Sequence, residues 1–190
     1  MLKKEIRKVF LEKRIKLSQD EIQDLSKRIS NIFISEIDLS SIRNIHVYLP
    51  LSKKNEVNTF VLIEEIEKIN PHIKLLVPIV INDEIHSFEF EKNAEIVFGQ
   101  FDIPEPKQRI KVEKIPDLVI VPLLGIDEKG YRVGYGGGFY DKYLSTLPSN
   151  VLKVGLSFWD CIDRIDDIDE FDIPLDLVIT PSKIVEFGYY

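Results

Sequence analysis

The sequence contains few of the residues that form disulfides or metal sites. It has one cysteine, Cys161, and three histidines, His46, His72 and His86, which are scattered singly. A single cysteine excludes an internal disulfide and a thiolate metal cage. Because histidine ligands occur with partners at defined spacings, we expect the three histidines to be surface or strand-end residues.

Long apolar segments are also missing. No apolar run approaches the roughly 20 residues that a membrane-spanning helix requires. The basic N-terminus MLKKEIRK lacks the apolar core of a signal peptide. We therefore expect a cytosolic protein without a membrane partner. A chain of 190 residues, 44% hydrophobic and 30% charged, is typical of one globular domain over residues 1–190.

Net positive charge is found in the N-terminal segment, whereas the rest of the chain carries an excess of negative charge. The net charge of −7 argues against nucleic acid as the main partner, because phosphate-backbone binding needs a basic surface. Residues 1–17 carry a net charge of +5, whereas residues 160–176 are strongly acidic. The acidic segment has two interpretations: a solvated loop, which is the default for a charge run, or a cation-binding patch.

The pattern of apolar residues predicts an α/β protein. Helical spacing and the capping-box pattern Ser18-Gln-Asp-Glu21 favour two leading helices. The predicted helices cover residues 2–17, 20–36, 59–69 and 139–147, and the predicted strands cover 45–49, 73–81, 85–90, 118–124, 152–158 and 175–180. The strand 118–124 is apolar throughout, as in a parallel strand buried on both faces. We expect an open, mostly parallel sheet with helices on both faces, in a three-layer α/β/α arrangement.

A glycine cluster follows the predicted central strand closely. Gly134, Gly136, Gly137 and Gly138 can adopt positive φ and expose backbone N–H groups to a ligand, and Arg132 lies beside them. The pattern favours a phosphate or nucleotide site, although it is neither the dinucleotide fingerprint nor the P-loop. The alternative interpretation is that the glycines only form a tight turn and allow close packing of the following helix.

The carboxyl ends of the parallel strands predict where the site lies, because ligands of such sheets bind at that edge. We expect three loops to meet there, after Leu49, after Leu124 and after Phe158. Glu56 lies in the first loop and, on residue type alone, would be a solvent-facing carboxylate.

Several motifs occur along the chain in the order seen in one known family. They are Lys3-x-x-x-Arg7, Tyr48-Leu49 with Glu56-Val-Asn-Thr59, Ile103-Pro-Glu-Pro106, Asp117-Leu-Val-Ile-Val-Pro, Gly125-Ile-Asp-x-x-Gly-Tyr-Arg-Val-Gly-Tyr-Gly-Gly-Gly-Phe-Tyr-Asp141 and Phe171-Asp-Ile-Pro-Leu-Asp176. With these motifs the sequence resembles the 5-formyltetrahydrofolate cyclo-ligases, also called methenyltetrahydrofolate synthetases, over nearly its whole length. The resemblance implies an enzyme that uses ATP and Mg²⁺ to convert 5-formyltetrahydrofolate to 5,10-methenyltetrahydrofolate, releasing ADP and phosphate. It agrees with the absence of a Ser–His or Cys–His pair, since phosphoryl transfer needs mainly positioning and charge stabilisation.

The resemblance also implies roles for individual residues. Arg132 would be the catalytic cation that stabilises the transferring phosphoryl group. Leu49 and Glu56 would contact the folate, and Asp141 and Asp172 would hold Mg²⁺, with Asp176 as a lower-ranked rival to Asp172. The ATP-binding residues would be Lys3, Lys4, Glu5, Ile6, Arg7, Arg132, Val133, Gly134, Tyr135, Gly136, Gly137, Gly138, Phe139 and Tyr140.

The residues at and after the end of the strand predicted over 152–158 concern the folate side of the site. Phe158 and Trp159 would form either an aromatic wall or core packing, and Cys161 stands where family members often have glutamine.

The first alternative function is a sugar-phosphate or coenzyme A enzyme on a similar sheet, which would act without ATP. The second is a non-catalytic regulator that binds folate or nucleotide without turnover. For the cyclo-ligase we expect a monomer with a small-molecule substrate.

Overall fold

The structure, a computed structural model, describes residues 1–188, except for the side chain of residue 101. Four α-helices are present in this part of the chain: α1 (Lys3–Ile15), α2 (Gln19–Glu36), α3 (Thr59–Ile69) and α4 (Phe139–Ser145). The strands are β1 (Asn44–Val47), β2 (Lys74–Ile81), β3 (Glu84–Phe90), β4 (Ile96–Phe98), β5 (Pro104–Pro106), β6 (Leu118–Val121), β7 (Gly125–Ile126), β8 (Arg132–Val133), β9 (Leu152–Leu156), β10 (Leu177–Ile179) and β11 (Ile184–Glu186).

The main sheet has seven strands in the order β11-β10-β9-β6-β1-β2-β3. Neighbouring strands from β10 to β2 pair in parallel, and the edge strands β11 and β3 pair antiparallel to β10 and β2. The turn from β2 to β3 places Asn82 and Asp83 at φ values of 51° and 61°, as a two-residue hairpin with a right-handed twist requires. The predicted open, mostly parallel sheet is confirmed.

Each face of the sheet carries its own apolar cluster. Leu118 and Ile120 of β6 point into the larger cluster with residues of α2 and α3, whereas Val119 and Val121 point into a second cluster with Leu144 of α4. All four β6 side chains are fully buried. The alternation confirms a central strand covered on both faces and helices on both sides of the sheet.

Helix α2 begins as its cap predicts. The Ser18 hydroxyl accepts a hydrogen bond from the Glu21 amide, and the Glu21 carboxylate accepts one from the Ser18 amide, which is the reciprocal capping box. Within residues 1–188, every helix is too short or too polar to span a lipid bilayer.

Several element boundaries differ from the prediction. The strands predicted over 45–49, 118–124, 152–158 and 175–180 all end earlier, because the chain turns away from the sheet at its carboxyl edge. The hairpins β4–β5 and β7–β8 and the edge strand β11 were not predicted. Their strands are two or three residues long, which is too short for alternation to be recognisable.

The hairpin β7–β8 separates the central strand from the glycine cluster, which therefore does not follow β6 directly. The buried Asp127 anchors its turn: Oδ1 accepts hydrogen bonds from the amides of Lys129 and Tyr131, both at 3.0 Å. Helix α1 packs on this hairpin, where Ile6 belongs to the same apolar cluster as Val133. This packing brings the N-terminal end of α1 to the glycine cluster.

His46 is not the surface or strand-end residue that was expected. It lies inside β1, is fully buried and pairs in register with Val119. Its ring centroid is 4.8 Å from that of Tyr143, and burial lowers the pKa of the imidazole to about 3. The apolar surroundings therefore keep His46 neutral. By contrast, His72 is exposed and His86 is half-buried on β3.

Candidate active site

A cavity of about 320 Å³ opens at the carboxyl edge of the sheet. Its walls come from the start of α1, the loop after β1, the β2–β3 hairpin, the segment 132–141 and the acidic segment near residue 170. The lining residues are Lys3, Arg7, Tyr48, Leu49, Leu51, Glu56, Pro78, Val80, Ile85, Ile103, Pro122, Arg132, Val133, Gly134, Tyr135, Gly136, Gly137, Gly138, Phe139, Tyr140, Asp141, Asp169 and Asp172.

Most of the residues predicted for the site line this one cavity. Three predicted ATP-site residues do not: Lys4 and Glu5 point to solvent, and Ile6 is fully buried in the core. Glu5 has a local task, because its carboxylate accepts a hydrogen bond from the Leu2 amide at 3.0 Å. Only the face of α1 that carries Lys3 and Arg7 reaches the cavity.

The loop after Phe158, which runs to β10, reaches the cavity only through its later residues Asp169 and Asp172, and its first residues do not join the site. Phe158 is buried in the larger apolar cluster, and the ring of Trp159 lies 5.5 Å from that of Phe10. Neither residue lines the cavity, and Cys161 does not line it either. A further wall, which was not predicted, comes from apolar residues of the β2–β3 hairpin, Pro78, Val80 and Ile85.

The backbone of the glycine loop, residues 134–138, requires glycine at only two of its four glycine positions. Gly136 and Gly138 adopt φ values of 100° and 65°, whereas Gly134 and Gly137 stay outside the positive-φ region. A Cβ on Gly136 would lie 3.3 Å from the guanidinium carbon of Arg7, and the Nε of Arg7 donates to the Gly134 carbonyl at 2.9 Å. Glycine therefore permits both the turn and the close approach of α1.

Arg132 and Asp141 form a partly buried ion pair at one end of the loop. Nη2 of Arg132 donates to Oδ1 of Asp141 at 2.8 Å, and its Nη1 donates to the Ile173 carbonyl at 2.6 Å. Burial lowers the pKa of Arg132 and the Asp141 carboxylate opposes that shift, so the guanidinium remains charged. Its two anchors hold a permanent positive charge on the cavity wall.

Lys3 and Asp172 form a second ion pair beside the first. The Lys3 ammonium donates to Oδ2 of Asp172, and Oδ2 of Asp169 lies 3.9 Å from the same nitrogen. Asp172 also accepts a hydrogen bond from the Asp169 amide at 2.8 Å. By contrast, Asp176 pairs with Lys153 at 2.9 Å and does not line the cavity. Of the two rival aspartates, Asp172 is the one beside the glycine loop.

Glu56 is buried in the wall of the cavity, so it is not the solvent-facing carboxylate that its residue type alone suggests. Only 5% of the residue is exposed. Its Oε2 accepts a hydrogen bond from the Leu51 amide at 2.7 Å, and its Oε1 accepts one from the Tyr135 hydroxyl at 2.7 Å. Burial raises the pKa of Glu56, and the positive charge of Arg14 opposes this shift.

Comparison with known proteins agrees with this geometry. Residues 1–181 match the 5-formyltetrahydrofolate cyclo-ligase family. The chain belongs to this family. Among the cyclo-ligases it resembles, that of Mycoplasma pneumoniae is 32% identical over 94% of this chain and 98% of its own length. The 5-formyltetrahydrofolate cyclo-ligase of Escherichia coli K12 is 28% identical over 93% of this chain and 98% of its own length.

Solved structures of methenyltetrahydrofolate synthetases also resemble this chain. The NMR structure of Aquifex aeolicus 5,10-methenyltetrahydrofolate synthetase matches with a TM-score of 0.83 and 31% identity, covering 100% of this chain and 95% of that one. A synthetase from Mycoplasma pneumoniae matches with a TM-score of 0.72 and 29% identity, covering 94% of this chain and 98% of that one. The predicted family is confirmed, and the chain is an enzyme of the cyclo-ligase family.

A buried arginine next to this cyclo-ligase site was not predicted from the sequence. Arg14 is only 3% exposed, and its guanidinium reaches Tyr135, the Lys54 carbonyl and the Leu123 carbonyl. A signal was present, because Arg14 follows Arg7 by two helical turns and so lies on the same face of α1. The burial of that face was not visible in a segment so rich in charge.

Proposed function

We propose that this protein uses ATP to convert 5-formyltetrahydrofolate to 5,10-methenyltetrahydrofolate, releasing ADP and phosphate, and that it requires Mg²⁺. One observation carries the proposal: a single cavity is lined by a glycine loop with three cations and by a buried carboxylate with apolar side chains. We assign the first set of residues to a nucleotide end that suits a polyphosphate, and the second to a folate end that suits an amino-pterin ring.

The nucleotide end is built for negative charge. Lys3, Arg7 and Arg132 all line it. Gly136 and Gly138, which adopt positive φ, present backbone without side chains to the cavity. Charged donors to phosphate form stronger hydrogen bonds than neutral ones. We therefore assign Lys3, Arg7 and residues 132–140 to ATP, and we leave out the outward-facing Lys4 and Glu5 and the buried Ile6.

The folate end is built for a flat ring with a polar edge. Leu49, Pro78, Val80 and Ile85 supply apolar walls, and Glu56 supplies a carboxylate at the end of them. An ionised carboxylate accepts about four hydrogen bonds, of which the Leu51 amide and the Tyr135 hydroxyl occupy two. The remaining capacity matches the two N–H donors on the amino-pterin edge.

The reaction needs no enzyme nucleophile. The formyl oxygen attacks the γ-phosphorus, an O–P bond forms, and the bond to the β–γ bridging oxygen breaks, so that ADP leaves. N10 then attacks the formyl carbon and loses its proton, while phosphate departs with the former formyl oxygen. In this scheme Arg132 stabilises charge on the transferring group, and the cavity holds the two substrates in contact.

The residues also fit a magnesium ion. Within residues 1–188, the hydrogen bonds of Asp141 and of Asp172 each fall on one carboxylate oxygen. In that part of the chain no three histidine, cysteine, aspartate or glutamate side chains form a metal cluster. Two aspartates and nucleotide oxygens suit Mg²⁺, which keeps several waters and often binds through substrate phosphates. The bound ion would neutralise charge on the phosphates.

A direct assay tests the proposal. Purified protein is incubated with 5-formyltetrahydrofolate, ATP and Mg²⁺, and the methenyl chromophore and ADP are measured together. We expect both products in equal amounts and no methenyl product when ATP or Mg²⁺ is omitted. Absence of the chromophore in the complete mixture would refute the proposal. A cytosolic location and a monomeric state remain predictions.

A further inference from the structure

Arg14 stands out because it is a buried cation outside the set of residues assigned to either substrate. Its Nε donates to the Lys54 carbonyl at 2.8 Å, and its Nη1 donates to the Leu123 carbonyl at 3.1 Å. Both acceptors are neutral, so these two bonds leave the positive charge without a counter-ion. Burying an uncompensated charge is costly, and the nearest carboxylate atom is Oε1 of Glu56, 4.0 Å from Nη2.

The Tyr135 hydroxyl lies between these two charges. Nη2 of Arg14 donates to the hydroxyl oxygen, and the hydroxyl donates to Oε1 of Glu56 at 2.7 Å. A guanidinium can only donate and an ionised carboxylate can only accept, so the direction of both bonds is determined. Arg14 therefore orients the one Tyr135 proton towards Glu56, and links the folate end of the cavity to the glycine loop.

The groups that face Glu56 come from four elements. Tyr48 follows β1, Tyr135 belongs to the glycine loop, Tyr140 belongs to α4, and Arg14 belongs to α1. Burial raises the pKa of all three tyrosines, so each is neutral near pH 7. Within residues 1–188, Arg14 is therefore the group that supplies a facing positive charge.

We propose that Arg14 is a positioning residue that keeps Glu56 ionised and oriented for the amino-pterin edge of the substrate. The inference rests on the proposed function, in which Glu56 binds that edge. A neutral Glu56 would turn one acceptor oxygen into a donor, and would face the N–H groups of the pterin with fewer acceptors. Arg14 thus controls the specificity of the folate end of the cavity, although its guanidinium does not line the cavity.

The first experiment needs no substrate. The carboxyl carbons of glutamate are labelled with ¹³C, the Glu56 signal is assigned with Glu56→Gln, and its titration is followed by NMR. Arg14→Gln keeps N–H donors but removes the charge, and we expect it to move the Glu56 midpoint to higher pH. Arg14→Lys keeps the charge and should leave the midpoint near that of the wild type. Lys8→Gln removes a charge from the exposed side of the same helix and is the matched control.

The second experiment measures the KM for 5-formyltetrahydrofolate against pH. For Arg14→Gln we expect a KM raised about tenfold or more near pH 7, the scale of a lost charge-assisted hydrogen bond, and a return towards wild type as the pH rises and Glu56 ionises. The KM for ATP should change much less. Arg14→Lys should rescue the folate KM.

The outcomes separate this inference from the proposed function. If wild-type protein makes no methenyl product, the proposed function fails, but the NMR titration still tests the effect of Arg14 on Glu56. An unchanged Glu56 midpoint in Arg14→Gln would overturn the inference. So would a folate KM that rises equally in both Arg14 variants at every pH, because that pattern indicates only a structural role. If Arg14→Gln does not fold, a displaced Glu56 midpoint in Arg14→Lys overturns it.

Discussion

Removal of the Arg132 side chain is the perturbation whose consequences the structure specifies best. Arg132 is 8% exposed and makes two hydrogen bonds, to the Asp141 carboxylate at 2.8 Å and to the Ile173 carbonyl at 2.6 Å. In Arg132→Ala the carboxylate and the carbonyl lose these donors, and the cavity loses its buried cation. Removing one partner of this partly buried ion pair leaves hydrogen-bond acceptors without their donor, which costs about 1–3 kcal/mol of stability.

The catalytic effect should be larger than the binding effect. Loss of a preorganised donor to a charged transition state lowers kcat by about 10²–10³-fold. Folate binds at the Glu56 end, so its dissociation constant should change by no more than about threefold, a difference of under 1 kcal/mol. Arg132→Lys keeps the charge but not the planar pair of donors, so its kcat should lie between those of wild type and Arg132→Ala.

The assay combines methenyl formation with folate binding by titration calorimetry, after thermal unfolding shows that the variants are folded at the assay temperature. Arg28→Ala is the matched control, because Arg28 is an exposed arginine that donates to the Pro181 carbonyl away from the cavity. Its kcat should equal that of wild type. An equal loss of folate affinity and kcat in Arg132→Ala would mean that Arg132 maintains the structure and does not act on the phosphoryl group.

Three further predictions test other parts of the structure. Asp172→Asn removes a charged oxygen ligand next to Lys3, so the Mg²⁺ concentration for half-maximal rate should rise about tenfold; an unchanged value would refute the metal assignment. Gly136→Ala places a Cβ at a φ of 100° and 3.3 Å from the Arg7 guanidinium carbon, so strain of about 1–2 kcal/mol should raise the KM for ATP more than Gly134→Ala does; equal effects would contradict this. His46→Phe removes a buried imidazole whose pKa is lowered from 6.5 to about 3. Below pH 6.5 the unfolded chain binds a proton at His46 that the folded protein does not, so the stability present above pH 6.5 is lost as the pH falls towards 3. Urea unfolding should show wild type losing on the order of 4 kcal/mol relative to the variant over that range, and parallel pH profiles would refute the reasoning.

Local patterns in the sequence were sufficient for the secondary elements with a strong period or a cap. The helix predicted over 59–69 is α3 (Thr59–Ile69), and the capping box at Ser18 starts α2. The run of apolar residues at 118–124 contains the central strand. These features depend on neighbours within one or two turns, so they are visible without the fold.

Strand ends and short hairpins depend on distant contacts. The hairpin β7–β8 forms where its residues pack against Ile6 and Phe10 of α1 and where Asp127 holds the turn. No local period marks two-residue strands. The loop after Phe158 was predicted to join the cavity because its strand ends at the same edge. Phe158 and Trp159 pack with the core, so only later residues of this loop, Asp169 and Asp172, line the cavity. The distribution of apolar burial decided which residues of the loop reach the site.

By itself, the sequence determined the fold class, the family and the chemistry available to this chain: a glycine loop, a basic first helix, isolated acids, and no nucleophile pair. Only the tertiary structure decided which charges act together. Packing of α1 on the β7–β8 hairpin buries Arg14 opposite Glu56 and Tyr135, and turns Lys4 and Glu5 to solvent. The physical reason is that the ionisation and orientation of a buried carboxylate depend on burial and on charges a few ångströms away, which come from segments far apart in the chain.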